Sequence, residues 1–112
     1  TEIKGRMLED IVLLETKLAN PKKQVLVLQF PVGKFDMVVF DPEAGSCWIF
    51  EIKHSKEAAP QQYRHLIDEE KCAQTEHRYG PITGKFVLYR GESQVIDGIR
   101  YQNVEEYLRS LA

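Results

Sequence analysis

The chain has 112 residues, 43% of them hydrophobic and 29% charged, and its formal net charge is −2 at pH 7. This length allows one domain with a single core and leaves no room for a second. The near-neutral charge excludes a domain that binds nucleic acid through a global basic field, so any DNA contact must come from a local patch. Two cysteines are too few for a disulfide framework, and no apolar run approaches the length of a membrane span, so we expect reduced thiols, no membrane partner and a cytoplasmic location.

The first half of the chain begins with a predicted helix. Apolar side chains recur at helical spacing over residues 2–19, and Asn20-Pro21 ends the pattern. Residues 25–30 are a continuous apolar run of strand length, followed by a predicted turn at residues 31–33. Because a charged, amphipathic segment is already under way at the first residue, we expect residues 1–112 to be one domain cut from a longer polypeptide.

Two apolar segments follow, and both carry charge where a buried sheet should have none. Residues 35–40 and 47–53 flank a loop at 41–46 that is rich in turn residues, which predicts an antiparallel hairpin. A bare carboxylate inside such a sheet costs several kcal/mol unless a partner neutralises it. The charged positions of the hairpin are therefore candidates for chemistry.

The register of this hairpin decides which charged groups meet. If the loop closes symmetrically, Phe40 faces Cys47, and Asp36 faces Glu51. Lys53 lies two residues after Glu51 and projects from the same face of the strand. Two carboxylates and an amine are then expected to converge at the open end of the hairpin. A slip of one residue would place the acids on opposite faces, and the alternative role for the group is an ion-pair cluster without chemistry.

The second half of the chain predicts a long helix between two strands. The helix is expected from Pro60 to about Tyr79, with Gly80-Pro81 as its stop signal, and residues 85–89 form the next strand. A helical crossover makes the strand that contains Glu51 and the strand at 85–89 parallel neighbours.

The last segment contains a predicted hairpin and a short helix. Asp97-Gly98 lies between apolar residues, which is typical of a two-residue hairpin turn. Asn103, with Glu106 three residues later, resembles the start of a helix that continues to Leu111. The order of the predicted elements indicates a mixed α/β domain of packed layers.

Other polar residues are weaker candidates. Glu9 could add a third carboxylate, because Gly5 one turn earlier would let the helix approach the sheet closely; the alternative is a solvated helix glutamate. Three histidines follow the acidic pair, and they could form a proton-transfer or phosphate site, although most are expected to be surface residues. We single out His54 among them because it adjoins the lysine of the hairpin.

The order of these residues resembles the PD-(D/E)xK, or restriction-endonuclease-like, nuclease superfamily. Its pattern is a helix with a glutamate, a strand, an Asp, a Glu-x-Lys, a helix and a further strand, and the matching positions are Glu9, Asp36, Glu51 and Lys53. More narrowly, residues 35–39, 50–55 and 62–66 resemble the C-terminal nuclease-like domain of prokaryotic AAA-type ATPases of poorly defined function. Many superfamily members have a proline before the Asp, where this chain has a phenylalanine.

The resemblance implies a restriction-endonuclease-like fold: a central mixed four-stranded sheet with helices on both faces, plus a small extra hairpin and a C-terminal helix. It implies that Mg²⁺ or Mn²⁺ is held by Asp36, Glu51, Glu9 and the carbonyl of Ile52, and that Lys53 orients the attacking water. The DNA backbone would be contacted by Lys34, His54, Lys56 and Arg64. An AAA-type ATPase module would lie upstream, since this chain has no phosphate-binding Gly-x-x-x-x-Gly-Lys-Ser/Thr loop.

Two other roles remain open for a domain of this kind. The first is a non-catalytic module that docks DNA, a partner protein or a second copy of itself and regulates an attached ATPase. The second is a purely structural appendage without affinity for metal or nucleic acid. The near-neutral charge favours the docking module, whereas the complete set of acidic and lysine motif residues favours the nuclease.

Overall fold

The computed structural model describes the backbone of residues 5–112 and the side chains from residue 7 onward. The predicted first helix is confirmed from residue 5, and its first three predicted residues lie outside the described part. The helices and strands follow the order α1 (Gly5–Ala19), β1 (Gln24–Gln29), β2 (Lys34–Asp41), β3 (Ser46–Ile52), a short 3₁₀ helix (Pro60–Gln62), α2 (Glu69–Tyr79), β4 (Ile82–Tyr89), β5 (Gln94–Ile96), β6 (Ile99–Asn103) and α3 (Val104–Ser110).

The described strands form one mixed sheet in the order β1-β2-β3-β4-β6-β5. Strand β2 is antiparallel to both β1 and β3, whereas β3 and β4 are parallel, as the crossover predicted. The prediction of four strands with a separate hairpin is wrong. Residues Phe86–Tyr89 pair in parallel with Arg100–Asn103, so the β5–β6 hairpin extends the sheet to six strands and covers the edge of β4.

Helices cover both faces of the sheet, as predicted. Successive residues of β4 alternate between two cores, with Leu88 in one and Val87 in the other. On the first face, α1 and α3 pack through Val12 and Tyr107. On the second face, α2 and the segment before it contribute the remaining cover, chiefly through residues Tyr63, Leu66 and Tyr79. The chain is therefore an α/β domain with a mixed sheet between helical layers.

The prediction of one helix from Pro60 to Tyr79 is wrong. The 3₁₀ helix ends at Gln62, and α2 begins only after Asp68, whose Oδ1 accepts a hydrogen bond from Lys71 N at 3.0 Å. In the intervening turns Leu66 is fully buried, while the Tyr63 hydroxyl donates to Asp97 Oδ2 at 2.7 Å. These long-range contacts fix the segment in an irregular path, and the aspartate caps the helix instead.

The predicted turn and cap near the C-terminus are confirmed. Asp97 and Gly98 both have positive φ, 51° and 79°, as a two-residue hairpin turn requires. Asn103 Oδ1 accepts a hydrogen bond from Glu106 N at 3.0 Å, so α3 begins at the predicted position. This cap holds in place the helix that carries the buried Tyr107.

We expect Asn103→Ala to lower the free energy of unfolding by about 1 kcal/mol, because it removes the cap acceptor of α3. It also removes the Nδ2 group that donates to Gly91 O at 2.9 Å. Urea unfolding followed by circular dichroism checks this. Asn103→Asp keeps an acceptor at the cap and should recover most of the loss; equal losses in both variants would show that the cap contributes nothing.

Candidate functional site

The site is built at the open end of the β2–β3 hairpin. Phe40 pairs with Cys47 and Met37 with Phe50, so the next residue outward, Asp36, lies across from Glu51. The predicted register is therefore confirmed. Asp36 is 4% exposed and Glu51 2% exposed, and both belong to the small set of buried polar residues in the described part of the chain. Two acids thus lie side by side in a buried sheet.

A bulge in β2 marks the same position. Leu26 of β1 pairs with Val38, but Leu28 pairs with Phe35, so β2 contributes one residue more than β1 over this stretch. Such bulges bend a strand and redirect a side chain, and they are common beside functional sites. The extra residue lies at Asp36 or its neighbour. The backbone is therefore irregular where the acid projects.

Each carboxylate accepts a hydrogen bond from the backbone of the facing strand. Asp36 Oδ2 accepts a hydrogen bond from Ile52 N at 2.7 Å, and Glu51 Oε2 accepts one from Asp36 N at 3.1 Å. These reciprocal bonds join the ends of β2 and β3 beyond the last paired residues. They fix both acids without neutralising them, because each partner is a neutral amide.

The electrostatics of the pair are unfavourable for two full negative charges. Burial raises the pKa of Glu51 to about 8, and the charge of Asp36 and a hydrogen bond with its side chain act in the same direction. Lys53 opposes this shift but does not cancel it. At neutral pH the pair therefore holds one proton, as carboxylates do when they share a site that lacks enough positive charge.

A third acid reaches the cluster from α1. Glu9 Oε2 lies 3.2 Å from Lys34 Nζ, and that same amine is 3.6 Å from Asp36 Oδ1. Burial and the charge of Asp36 raise the pKa of Glu9, while Lys34 lowers it. The structure thus brings Glu9 to the acidic pair, as the sequence suggested. It also places Lys34, predicted as a DNA contact, as the bridge between two of the acids.

The lysine of the Glu-x-Lys motif completes the cluster. Lys53 lies at the end of β3, where its backbone N donates to Leu88 O at 2.8 Å, and its side chain is half-buried. Its positive charge acts on the pKa values of both Glu51 and Glu9. The motif lysine therefore lies close enough to the acids to act on their pKa values through its charge.

The donors suit a hard cation held by few protein ligands. Within residues 5–112, no three carboxyl, imidazole or thiol groups are arranged to hold a metal ion by themselves. Lys34 contacts both Glu9 and Asp36, and the two fully buried acids, Asp36 and Glu51, are the candidate carboxyl donors. Mg²⁺ is commonly bound by one or two carboxylates, with water and substrate phosphate filling the remaining positions. The two buried acids are donors of that kind.

The other predicted DNA contacts lie in the segment after β3. His54 is half-buried, and Lys56 and Arg64 are exposed. The start of this segment is anchored, since Ser55 O accepts a hydrogen bond from Arg90 N at 2.8 Å. The structure therefore presents two cations at the surface of the segment that follows the motif lysine.

His65 is a neighbour of the site that sequence reasoning did not single out. Its ring lies against Gly33, where an added Cβ would be 2.7 Å from the imidazole Cε1. Burial and the nearby cations, Lys53 among them, lower its pKa, and Asp36 opposes this. The sequence position of His65 alone could not show that its ring lies against Gly33, because the segment that contains His65 was predicted to be a regular helix. The turn at Gly33, with φ of +84°, is the feature that makes room for it.

No helix in the described part of the chain combines the length and apolar character needed to cross a bilayer.

Comparison of the chain with family models, with curated proteins and with solved structures gives no match.

Proposed function

We propose that this domain is a metal-dependent nuclease of the restriction-endonuclease-like type, which hydrolyses phosphodiester bonds in DNA and is attached to an AAA-type ATPase in the full-length protein. The observation that carries the proposal is the burial of two acids, Asp36 and Glu51, on facing strand ends that their hydrogen bonds join, and burial raises the pKa of Glu51 to about 8. Strongly shifted carboxyl groups next to a specific charged partner are typical of functional sites.

Each residue of the cluster has a distinct role. The carboxylates of Asp36 and Glu51, with the Ile52 carbonyl, would hold Mg²⁺ or Mn²⁺, which would act as a Lewis acid on the phosphodiester. Glu9 would join the set once Lys34 releases it. Lys53 would orient the attacking water and offset the negative charge that develops on the phosphorus centre.

The DNA backbone would approach from the segment after β3. Lys56 and Arg64 are exposed cations, and His54 precedes them at the end of the strand. Such contacts position a backbone without reading base edges, so the proposal assigns no sequence specificity. The chain's net charge of −2 implies modest affinity that falls as salt is added.

The proposal is tested by metal titration and plasmid nicking on the same set of variants. We expect Mn²⁺ or Mg²⁺ to bind wild type and Lys53→Met but not Asp36→Asn, as measured by calorimetry. Lys53→Met should retain metal but lose plasmid nicking by about 10²–10³-fold, the usual effect of removing one transition-state donor. Lys22→Met, a change at an exposed lysine near the end of α1, is the matched control and should cut at the wild-type rate.

Two outcomes would contradict the nuclease. One is metal binding without cleavage of single-stranded, duplex or branched DNA. The other is nicking that persists unchanged in Lys53→Met and in Asp36→Asn, since this would identify a contaminating enzyme.

A non-catalytic domain, either a docking module or a structural appendage, is the second candidate, and a specific observation favours it. Both acids of the pair accept backbone hydrogen bonds, from Ile52 N and Asp36 N, so they also join two strand ends. In that role the pair would serve the fold alone. Asp36→Asn would then change the unfolding midpoint, while wild type would give no heat with Mg²⁺ or Mn²⁺.

A further inference from the structure

The outward side of α1 carries a continuous apolar stripe. Met7 is 53% exposed, Ile11 36%, Leu14 56% and Leu18 69%. Their spacings of four, three and four residues are those of alternating a and d positions in a two-helix seam. We call these four side chains the α1 seam. Soluble surfaces rarely place large apolar residues in such a row unless a partner covers them.

The α1 seam is not the side of α1 that packs on the sheet. The opposite side of α1 is already packed, with Leu8 and Val12 buried against the sheet. Thr16 is 1% exposed, and its hydroxyl lies 2.8 Å from the Tyr107 hydroxyl of α3. These contacts fix the rotation of the helix about its axis. The α1 seam therefore faces outward in the folded domain.

The charges beside the α1 seam indicate which partner fits. In the heptad that the seam defines, Asp10 and Lys17 both occupy g positions and Glu15 occupies an e position. In an antiparallel pair of identical helices, g residues face g residues, so Asp10 of each copy meets Lys17 of the other. In a parallel pair, g residues face e residues, so Asp10 of one copy would lie against Glu15 of the other and the two negative charges would repel. The charge pattern thus favours an antiparallel second copy.

We propose that the α1 seam is the interface of a two-fold symmetric homodimer with antiparallel α1 helices. Met7 of one copy would pack near Leu18 of the other, and Ile11 near Leu14, which is the self-complementary arrangement that a two-fold axis requires. The helix has 15 residues. It is therefore about 22 Å long, and such a short seam buries less surface than the roughly 1,200 Å² of a standard interface. The dimer is accordingly weak, with micromolar affinity, and it does not depend on nuclease activity.

Sedimentation velocity from about 5 to about 500 μM tests the interface. We expect wild type to pass from monomer to dimer over this range, and Leu14→Glu/Leu18→Glu to remain monomeric. Val32→Glu/Val95→Glu is the matched control, because those residues are equally apolar and exposed but lie outside α1, and it should dimerise like wild type. Circular dichroism verifies that every variant is folded. A monomeric wild type at the highest concentration, or a dimeric seam variant, would overturn the proposal.

A charge swap tests the antiparallel orientation. Asp10→Lys alone should weaken dimerisation about tenfold, because it turns two attractive pairs into repulsive ones. Asp10→Lys/Lys17→Asp restores opposite charges at both contacts and should return the affinity to within about threefold of wild type. Stronger dimerisation of Asp10→Lys would indicate a parallel pair. Unchanged dimerisation of both variants would show that these charges do not contact each other across the interface. Either result overturns the antiparallel assignment.

Discussion

Glu51→Gln is expected to make the folded domain more stable than wild type at pH 8, by roughly 3 to 5 kcal/mol. Replacing a buried residue usually lowers the free energy of unfolding, so this increase is the opposite of the common result. The carbonyl oxygen of the introduced glutamine can still accept the hydrogen bond from Asp36 N, and its amide can donate to the Asp36 carboxylate. The variant therefore keeps the geometry of the pair and removes one negative charge.

The sign of the pH dependence follows from the direction of the pKa shift. The pKa of Glu51 is raised from its ordinary value of 4.5 to about 8 in the folded domain, chiefly by burial. Between these two values the folded state binds a proton that the unfolded chain has lost. The stability that this proton contributes is fully present below about pH 4.5 and is lost as the pH rises through about 8. The Glu51→Gln variant has no such slope.

Urea unfolding at about pH 5 and at pH 8 measures the difference. Wild type should lose stability between these two values, and Glu51→Gln should lose much less. Glu92→Gln, at an exposed glutamate, controls for the general effect of removing an acid and should follow wild type. Equal slopes in wild type and Glu51→Gln would mean that Glu51 is ionised in the folded domain throughout this range.

The energetic cost of this pair bears on whether the site is functional. A pair whose only task was to join two strand ends could be built from a glutamine and an aspartate at lower cost. Retaining two acids weakens the fold at neutral and alkaline pH, which is the trade-off expected where activity needs a strained or destabilised site. A bound divalent cation would reverse the penalty, since it would favour the ionised form of Glu51.

The part of the site that depends on local geometry could be predicted from the sequence. The loop between β2 and β3 closes symmetrically, so counting outward from Phe40 and Cys47 was enough to place Asp36 across from Glu51. Helix α1 could be placed from its apolar periodicity, which also located Glu9 on it.

The parts that depend on long-range contacts could not be predicted. Lys34 is separated by 25 residues from Glu9, and nothing in their sequence positions shows that they form an ion pair. The pairing of β4 with β6 is also non-local. The β5–β6 hairpin was therefore predicted to lie outside the sheet, although it extends it. Before α2, the apolar spacing of Tyr63 and Leu66 fits a helix equally well, and only their burial in the core explains the irregular path.

Metal affinity is expected to rise roughly fifty-fold between pH 6 and pH 8, because a cation must displace the proton held by Glu51. With a pKa of about 8, roughly one in a hundred Glu51 carboxyls is ionised at pH 6, against about half at pH 8. Binding at pH 7 should therefore release close to one proton per cation. Calorimetry with Mn²⁺ in buffers of different ionisation enthalpy measures both quantities.

The Glu51→Gln variant separates this behaviour from general effects of pH. It carries no titrating group at position 51, so its affinity should be low at every pH, and its binding should release almost no proton. A cation that bound to scattered surface carboxylates would show the same weak pH dependence in wild type and in the variant. Flat wild-type affinity between pH 6 and pH 8, or release of no proton at pH 7, would therefore place the cation outside the acidic pair and remove the physical basis of the proposed chemistry.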